Sequence, residues 1–408
     1  MTGSIIIAGA GLCGARAAFA LRERGYEGKV VLIGSERHAP YDRPPLSKHV
    51  DDGSLSIQHV ADEESYRVAG IDHLGGVDVT TIDPVGHVVT LSDGRHLTYD
   101  KLLLAVGARP RLLPGTENLT KVLTLRSFDD ALKIRDGIGP GRRLAIIGGG
   151  FIGLELAAMA RKLQTSVTVI ESMPRLLARA VPAEIASVIE ERHRLEGVEV
   201  LLQSGISSIG EDADGVRIEL ADGRAIVADL AVIGIGAIPN IEIAGAAGLA
   251  IENGIAVDHF MRTSDADIFA AGDCCSFPLQ TYDGSRVRLE SWRCAQDQGI
   301  IAAANMLGIA TPYEGVPWFW SDQYDLTLQI AGLPGLAVET VRRELSDGSF
   351  LLFHLGCDGR LVAASGIGRG NAIGRDIRLC EMLIAARSHP RREELASPST
   401  RLKSLLAA

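Results

Sequence analysis

The chain has 408 residues, of which 46% are hydrophobic and 23% are charged, and its formal net charge is −10 at pH 7. These values are typical of a globular protein with two or three domains. The negative charge argues against a nucleic-acid partner, and no apolar stretch reaches the roughly 18 residues of a membrane-spanning helix. Because the first predicted strand begins at about residue 4, we expect no signal peptide, no membrane association and a cytoplasmic location.

The first predicted element is a buried parallel strand over residues 4–8, followed at once by a glycine-rich loop and an alanine-rich helix over 15–21. A GxGxxG loop between a strand and a helix is typical of dinucleotide binding, because glycines let the backbone approach a pyrophosphate at the helix N-terminus. The alternative is a tight turn that merely tolerates glycine. The loop residues we single out are Gly9, Gly11, Leu12, Cys13 and Gly14.

The next predicted strand, over residues 29–33, is followed by Ser35 and Glu36, where an acidic group would bind the adenosine ribose. A stiff segment with two prolines then carries the cations Arg43 and Lys48. Its rigidity favours a fixed role for these cations, such as binding a cofactor pyrophosphate or placing an ammonium beside a reacting ring. The alternative is a solvated loop.

A hairpin is predicted around Asp93-Gly94, and a buried strand over 101–106 leads to a proline-rich crossing at 109–115, which we interpret as a domain boundary. A second strand, glycine loop and helix follow over 144–161. Two such units in one chain predict two dinucleotides and electron transfer between them. The residues singled out in the second loop are Gly148, Gly150, Ile152 and Gly153.

Two acids of this second unit are candidates for cofactor contacts. Glu171 ends the strand predicted over 167–170, 18 residues after Gly153, where a carboxylate can accept from both ribose hydroxyls. A carboxylate there repels a 2′-phosphate and predicts a preference for NADH over NADPH. The alternative is an ordinary exposed acid. Glu155, one turn into the helix, either faces the nicotinamide or caps the helix.

A late strand over 228–233 precedes Gly236, and another over 268–272 ends at Asp273, which can accept from a ribityl hydroxyl or cap the next helix. That strand is expected to rejoin the first domain, so the second domain interrupts the first. From about residue 320, strands over 326–330, 350–354 and 361–364 and a helix over 377–386 predict an α+β domain. Residues 360–408 contain nine Arg and Lys against four Asp and Glu. This cationic segment is either a solvated surface or a docking face for an acidic partner.

The six cysteines form no CxxC or zinc pattern, and we predict no metal site. They are expected to be small apolar packing residues. The tryptophans Trp292, Trp318 and Trp320 fall within 29 residues and can either pack in a core or lie against a flavin ring.

At this point the chain resembles the FAD-dependent, NADH-linked ferredoxin reductases that serve bacterial aromatic-ring dioxygenases and cytochrome P450 systems. The resemblance runs over essentially the whole chain. Its most specific segments are Tyr41-Asp42-Arg43-Pro44-Pro45-Leu46-Ser47-Lys48, the second glycine loop with Leu154-Glu155-Leu156-Ala157, Ala271-Gly272-Asp273-Cys274, Leu289-Glu290-Ser291-Trp292, and Pro317-Trp318-Phe319-Trp320-Ser321-Asp322-Gln323-Tyr324.

The resemblance implies an α/β fold with two Rossmann-like dinucleotide-binding domains of the glutathione-reductase type and a C-terminal α+β domain. It implies an FAD-binding domain over 1–112 and 241–319, an NADH-binding domain over 113–240 and the C-terminal domain over 320–408. It implies FAD contacts at residues 9–14, Arg43, Lys48, Val79, Ala105, Gly107, Arg126, Asp273, Trp292 and Trp320. It implies NADH contacts at Gly150, Ile152, Glu155, Glu171, Arg179 and Gly236.

Three positions depart from the usual family pattern. Ser35 stands where many members have an acid, so that Glu36 must serve the FAD ribose alone. Cys294 stands where many have asparagine. Val106 stands before Gly107 where threonine is usual, which removes a side-chain hydroxyl.

The implied activity is transfer of electrons from NADH through FAD to a [2Fe-2S] ferredoxin that feeds an oxygenase, with Lys48 and Glu155 as the residues closest to the chemistry. Related flavoenzymes that reduce disulfides or peroxides use cysteines in the region that residues 43–48 occupy here, so those activities are disfavoured. Two alternatives remain open: a rubredoxin reductase, and an NADH-responsive flavoprotein resembling apoptosis-inducing factor.

Overall fold

The computed structural model describes residues 3–48 and 56–407. The chain forms two compact units. Unit 1 comprises Met1–Asp42, Ile57–Arg109 and Pro239–Phe319, and unit 2 comprises Arg43–Ser56, Pro110–Ile238 and Trp320–Ala408. The division into three domains at residues 112, 240 and 319 stays a prediction.

The strands are, in chain order, β1 Ser4–Ala8, β2 Lys29–Gly34, β3 Ile71–Gly75, β4 Val79–Asp83, β5 Val88–Leu91, β6 His96–Thr98, β7 Lys101–Leu104, β8 Ala108–Pro110, β9 Val122–Thr124, β10 Arg143–Ile147, β11 Ser166–Ile170, β12 Glu199–Leu201, β13 Ile206–Asp212, β14 Gly215–Leu220, β15 Ala225–Ala228, β16 Leu230–Ile233, β17 Ala237–Pro239, β18 Ile251–Glu252, β19 Gly254–Ala256, β20 Ile268–Ala270, β21 Cys275–Leu279, β22 Ser285–Val287, β23 Trp318–Gln323, β24 Leu326–Gly332, β25 Glu339–Glu344, β26 Phe350–Leu355 and β27 Leu361–Arg369.

The α-helices are α1 Leu12–Glu23, α2 Glu63–Val68, α3 Phe128–Gly137, α4 Phe151–Lys162, α5 Ala183–Leu195, α6 Glu242–Ala246, α7 Trp292–Met306, α8 Gly374–Ala385 and α9 Arg392–Ala396. Short 3-10 helices span Pro44–Ser47, Gln280–Tyr282, Pro334–Leu336 and Leu402–Ala407. The segment predicted as a stiff loop therefore contains a 3-10 helix, because two consecutive prolines fix φ near the helical value.

Unit 1 is built on a five-stranded sheet in the order β20-β7-β1-β2-β3, in which every pair is parallel. Ile6 is fully buried within the apolar run of β1, as expected of a strand covered on both faces. Helices α1 and α7 pack on each other. β20 lies beside β7, which confirms that the strand at 268–270 returns to the first sheet.

Unit 2 contains a second parallel sheet, β12-β11-β10-β16-β9, and an antiparallel meander, β13-β14-β15. The predicted strand over 228–233 is wrong as one element: it is two strands, β15 and β16, separated at Asp229. The side chain of Asp229 accepts hydrogen bonds from the Arg143 backbone amide at 2.7 Å and from its guanidinium at 2.8 Å. β15 pairs with β14 of the meander, whereas β16 pairs with β10 and β9 of the parallel sheet, so the break lies where the chain passes from one sheet to the other.

The C-terminal part of unit 2 is an antiparallel sheet in the order β23-β24-β27-β26-β25, on which α8 packs. The predicted strands and helix of this region are confirmed. The buried guanidinium of Arg343 in β25 donates to the carbonyl oxygens of Glu394 at 2.6 Å, Leu395 at 2.6 Å and Thr400 at 3.2 Å. It thereby attaches the last described segment of the chain to the sheet.

Candidate functional site

The glycine loop of unit 1 forms a cradle at the start of α1. Gly9 has a φ of 115°, and a Cβ there would lie 2.1 Å from the Ala105 oxygen; a Cβ on Gly14 would lie 2.0 Å from the Gly9 oxygen. These two glycines are required by packing. A Cβ on Gly11, by contrast, meets nothing within 4 Å. Gly11 is also the N-cap of α1 and has no side-chain cap. The bare backbone and the free helix N-terminus suit a pyrophosphate.

The glycine loop of unit 2 repeats this arrangement before α4. Gly148 has a φ of 104° and its Cβ would lie 2.5 Å from the Gly234 oxygen, and a Cβ on Gly153 would lie 2.5 Å from the Gly148 oxygen. Gly150 is the N-cap of α4 without a side-chain cap, and Gly236, with a φ of 113°, has open space beside it. Both cradles therefore fit a dinucleotide diphosphate.

A carboxylate follows the next strand of the parallel sheet after each glycine loop, β2 in unit 1 and β11 in unit 2. In unit 2, Glu171 accepts from the Gly149 amide at 2.7 Å through Oε2 and from the Met173 amide at 2.7 Å through Oε1. In unit 1, Glu36 accepts from the Tyr41 hydroxyl. The bond from Gly149 fixes Glu171 against the glycine loop, and its remaining lone pairs can accept from ribose hydroxyls.

A cluster of polar side chains in unit 2 surrounds Lys48, and we call it the Lys48 cluster: Ser47, Lys48, Glu155, Trp320, Ser321 and Asp322. The Lys48 ammonium lies 3.5 Å from Glu155 Oε1 and 3.3 Å from Asp322 Oδ2. It also lies 4.6 Å from the centre of the Trp320 ring, in a cation–π contact. Asp322 further accepts from the Trp320 indole at 3.1 Å. Three predicted residues, Lys48, Glu155 and Trp320, therefore meet here.

Glu155 is the most buried charged group of the Lys48 cluster, with 6% of its side chain exposed. Ser47 donates to its Oε2 at 2.5 Å and Ser321 to its Oε1 at 2.6 Å. Burial raises the pKa of Glu155, while Lys48 and the two hydroxyls act in the opposite direction. The group therefore faces the cluster and does not cap α4. Its ionised form depends on the cation and on the donors around it.

Two further predicted FAD contacts meet in unit 2, where the Arg43 guanidinium donates to the Arg126 carbonyl. In unit 1, the Trp292 indole donates to Asp42 at 2.7 Å. The Asn240 side-chain amide donates to the Val106 carbonyl at 2.8 Å. The backbone of Val106 is therefore hydrogen-bonded even though this residue lacks the hydroxyl of the threonine that is usual at this position.

The other predicted contacts lie at loops and strand ends. Val79 begins β4, the Asp273 carbonyl accepts from Arg288 at 3.3 Å, and Ala105 donates to the Ala8 oxygen at 2.7 Å directly after β7. Gly107 has a φ of 64°. In unit 2, Ile152 is half exposed at the start of α4 and Arg179 is exposed. Contact of these residues with a cofactor stays a prediction.

All six cysteines are free, and only Cys357 is exposed. Burial raises the pKa of Cys274 to about 11 and that of Cys294 to about 12, and it raises the pKa values of Cys13 and Cys275 well above the usual range. Since the thiolate is the reactive form, these thiols are inert at neutral pH.

Much of the cationic segment at 360–408 is paired within unit 2. Arg369 lies 3.3 Å from Asp325, and Arg378, Arg391 and Arg392 bind Glu381, Glu394 and Glu339. Arg369 nevertheless stays 80% exposed. Pairing therefore reduces the local charge without removing it from solvent.

Sequence reasoning assigned no role to Ser47, Ser321, Asp322, Gln323 or His193. The first four lie inside the sequence motifs that carry the family resemblance, so those motifs could have indicated them. His193 had none, because it is a single polar residue on the buried face of α5. In the described part of the chain, no group of three or more His, Cys, Asp or Glu has metal-ligand geometry, and no helix is long and apolar enough to cross a membrane.

Comparison with known proteins identifies two family models in this chain. Residues 3–299 match the pyridine nucleotide-disulphide oxidoreductase model, and residues 318–406 match the reductase C-terminal model. The ferredoxin–NAD(+) reductase component of an anthranilate 1,2-dioxygenase system from Burkholderia cepacia is 42% identical over 406 residues, covering 98% of each chain.

Two solved structures are similar over nearly their whole length. The ferredoxin reductase for the CYP199A2 system of Rhodopseudomonas palustris has a TM-score of 0.93 and 36% identity, covering 99% of each chain. The covalent putidaredoxin reductase–putidaredoxin complex has a TM-score of 0.92 and 34% identity, covering 99% of this chain and 98% of that one.

Proposed function

The chain belongs to the pyridine nucleotide-disulphide oxidoreductase family, and from that premise we propose that it is an NADH-dependent ferredoxin reductase. Its acceptor is a [2Fe-2S] ferredoxin that passes electrons to an oxygenase. The observation that carries the proposal is the full-length similarity, over 98% of both chains, to a ferredoxin–NAD(+) reductase component of a dioxygenase system.

The chain supplies one cradle for each cofactor. FAD binds through its ADP half to the glycine loop of unit 1, with Glu36 at the ribose. NADH binds to the glycine loop of unit 2, with Glu171 at the ribose. When bound, FAD supplies the redox chemistry, accepting a hydride from NADH and releasing the two electrons one at a time.

The Lys48 cluster holds one positive charge in a fixed place. Glu155, Asp322 and the Trp320 ring restrain the Lys48 ammonium from three directions. Charge that is oriented before the reaction begins stabilises developing negative charge without reorganisation. We propose that Lys48 provides this charge to the reacting rings and that Glu155 keeps the ammonium in position.

The cysteines support an acceptor outside the protein rather than a dithiol relay within it. Burial keeps Cys13, Cys274, Cys275 and Cys294 protonated, and residues 43–48 contain no cysteine. The six free thiols are also typical of a reducing compartment, which supports a cytoplasmic location. We further propose the three-domain division with boundaries at residues 112, 240 and 319.

The test is anaerobic reduction of a purified [2Fe-2S] ferredoxin by NADH. The reaction is monitored through the loss of the cluster's visible absorbance. We expect NADH- and protein-dependent reduction of two ferredoxins per NADH. A rubredoxin and an oxidised dithiol serve as comparison acceptors. Faster reduction of the rubredoxin or of the dithiol would contradict the proposal. So would rapid reduction of bound FAD with slow turnover on every acceptor, as expected of an NADH-responsive sensor.

A further inference from the structure

A continuous hydrogen-bond chain leads to Glu155 through unit 2, and we call it the His193 chain: Tyr324, His193, Gln323, Ser321 and Glu155. The Tyr324 hydroxyl lies 3.3 Å from His193 Nδ1, and His193 Nε2 lies 2.8 Å from Gln323 Oε1. Gln323 Nε2 lies 3.1 Å from Ser321 Oγ, which lies 2.6 Å from Glu155 Oε1.

The local structure explains why these polar groups are buried together. Residues alternate between two faces along a strand, so Ser321 and Gln323 of β23 share one face, and they are 1% and 3% exposed. His193 lies on the buried face of α5, in register with Ile185 and Ile189, and is fully buried. A polar group at a core position costs free energy unless it is hydrogen-bonded, and here each residue bonds its neighbour in the His193 chain.

The direction of the His193 chain follows from its proton donors. A hydroxyl has one proton, and an ionised carboxylate can only accept. Ser321 therefore donates to Glu155 and accepts from the Gln323 amide, so Gln323 Oε1 faces His193. His193 Nε2 must then carry the ring proton, and the bare Nδ1 accepts from Tyr324. Burial lowers the pKa of His193, which agrees with a neutral ring that carries one proton.

Protonation of Glu155 at Oε1 reverses this order, whereas a proton on Oε2 faces Ser47, outside the His193 chain. With the proton on Oε1, Glu155 would donate to Ser321, Gln323 would turn its amide around, and His193 would move its proton to Nδ1. The His193 chain thus has two complete arrangements, and a proton on Oε1 fits only the reversed one. The arrangement with all donors directed towards Glu155 favours the carboxylate.

We propose that His193 is a positioning residue that, through Gln323 and Ser321, keeps Glu155 ionised and directed at Lys48. This inference rests on the proposed function, because the Lys48–Glu155 pair is the part of the protein assigned to the chemistry there. The observable it predicts is the protonation of Glu155, which is measured independently of the electron acceptor.

Charged groups lie at both ends of the His193 chain. At the inner end, Lys48 faces Glu155, and Asp322 faces Lys48. At the outer end, Arg192 and Glu196 face His193, and Arg161, Arg192 and Glu196 face Tyr324. Arg192 is itself paired with Glu196 and Asp325. The charges at the outer end are thus close to balanced, and Lys48 is the cation at the inner end.

The test is an infrared pH titration of the FAD-loaded protein, in which the band of the protonated Glu155 carboxyl is identified by its loss in Glu155→Gln. His193→Phe removes both ring nitrogens, and we expect the titration midpoint of Glu155 to rise by about one unit, a tenfold change in the protonation equilibrium. His193→Gln retains a donor and an acceptor, and we expect it to restore the midpoint.

His354→Phe is the matched control. His354 is also a buried histidine of unit 2, 3.0 Å from the Ser365 hydroxyl and 3.2 Å from the Thr340 hydroxyl, and burial lowers its pKa to about 4. It lies outside the His193 chain, so we expect its loss to lower the melting temperature without moving the Glu155 midpoint.

Equal midpoints in His193→Phe and His354→Phe would overturn the proposal and leave His193 a packing residue. If His193→Phe does not fold, Tyr324→Phe removes only the outer hydroxyl, and we expect a smaller rise of the midpoint; no rise there would also overturn the proposal. A midpoint that moves as expected in a protein that reduces no ferredoxin would instead count against the proposed function alone.

Discussion

Replacing Lys48 with methionine leaves Glu155 as a buried carboxylate without its ion-pair partner. The two side chains are 15% and 6% exposed, so the pair is nearly buried. Removing one member of a buried pair costs about 3–5 kcal/mol. We take the lower end, about 3 kcal/mol, because Ser47 and Ser321 still donate to the carboxylate.

The cost depends on pH, because Glu155 can take up a proton instead of staying charged. Burial raises the pKa of Glu155 in the folded state. At pH values between the unfolded-state and the folded-state pKa, the native state therefore binds more protons than the unfolded state. The free energy of unfolding falls as pH rises through this range. Loss of Lys48 raises the folded pKa further and extends this window upwards. At about pH 5.5, Glu155 of the folded variant can take up a proton instead of staying charged. The free energy of protonating a carboxyl with an ordinary pKa of about 4.3 at that pH is roughly 1.6 kcal/mol, which is then the upper limit of the loss of stability. At about pH 8 the full 3 kcal/mol applies.

The assay is urea unfolding followed by circular dichroism at both pH values. FAD is kept in the same excess throughout, since a ligand that binds the native state shifts apparent stability. Lys29→Met is the control: Lys29 lies 4.0 Å from Asp72, with side chains 56% and 62% exposed, and such pairs contribute less than about 1 kcal/mol. Adding Glu155→Gln to Lys48→Met is expected to recover most of the loss, because the unpaired charge is gone. A loss that is equal at both pH values, or no larger than that of Lys29→Met, would refute the reasoning.

Three further predictions concern the cofactor, the thiols and the partner. Glu171 predicts a preference for NADH, and Glu171→Gln is expected to reduce the ratio of kcat/KM for NADH over NADPH by about tenfold or more; equal wild-type values would contradict this. A variant with all six cysteines replaced by Ser or Ala is expected to keep NADH-driven ferricyanide reduction, and loss of that activity with FAD retained would contradict it. Charge reversal at Arg369 and Arg375 is expected to raise the KM for an acidic ferredoxin. It is also expected to weaken the salt dependence of that KM, which reflects screening over about 8 Å. The matched charge reversal at the exposed Arg217 and Arg224 is the control. A KM indifferent to both salt and the first reversal would exclude docking there.

The parts of the fold that the sequence predicts are those that local pattern determines. The apolar runs 4–8 and 144–147 became β1 and β10 because strands buried on both faces need unbroken apolar side chains. The two glycine loops and the strand-end acids were predictable for a similar reason, since each combines a local backbone requirement with a fixed position after a strand. The split at Asp229 was not predicted because it depends on which sheet each strand joins, β15 pairing with β14 and β16 with β10 and β9, and such pairing leaves no local pattern.

The arrangement of the Lys48 cluster was not predictable from local pattern. Ser47 and Glu155 are 108 positions apart, and Ser321 and Glu155 are 166 apart. Their contact is decided by how β23 and the 3-10 helix at Pro44–Ser47 pack against α4. The resemblance supplied Lys48 and Glu155 as candidates, but it did not say that hydroxyl donors would surround the carboxylate. His193 is further still from any local signal, because its burial on α5 alone would suggest a satisfied core histidine.

The composition of the Lys48 cluster is itself an argument for function. Replacing a buried ion pair by apolar side chains of similar volume is often neutral or stabilising, so stability alone does not require Lys48 and Glu155. The structure nevertheless surrounds this pair with Ser47 and Ser321, and it extends the hydrogen bonds through Gln323 to a fully buried His193. Each of these groups costs desolvation free energy, which the hydrogen bond to its neighbour offsets. Such a series of linked hydrogen bonds supports our proposal that the position and the charge of the Lys48 ammonium matter to the chemistry of the bound cofactors.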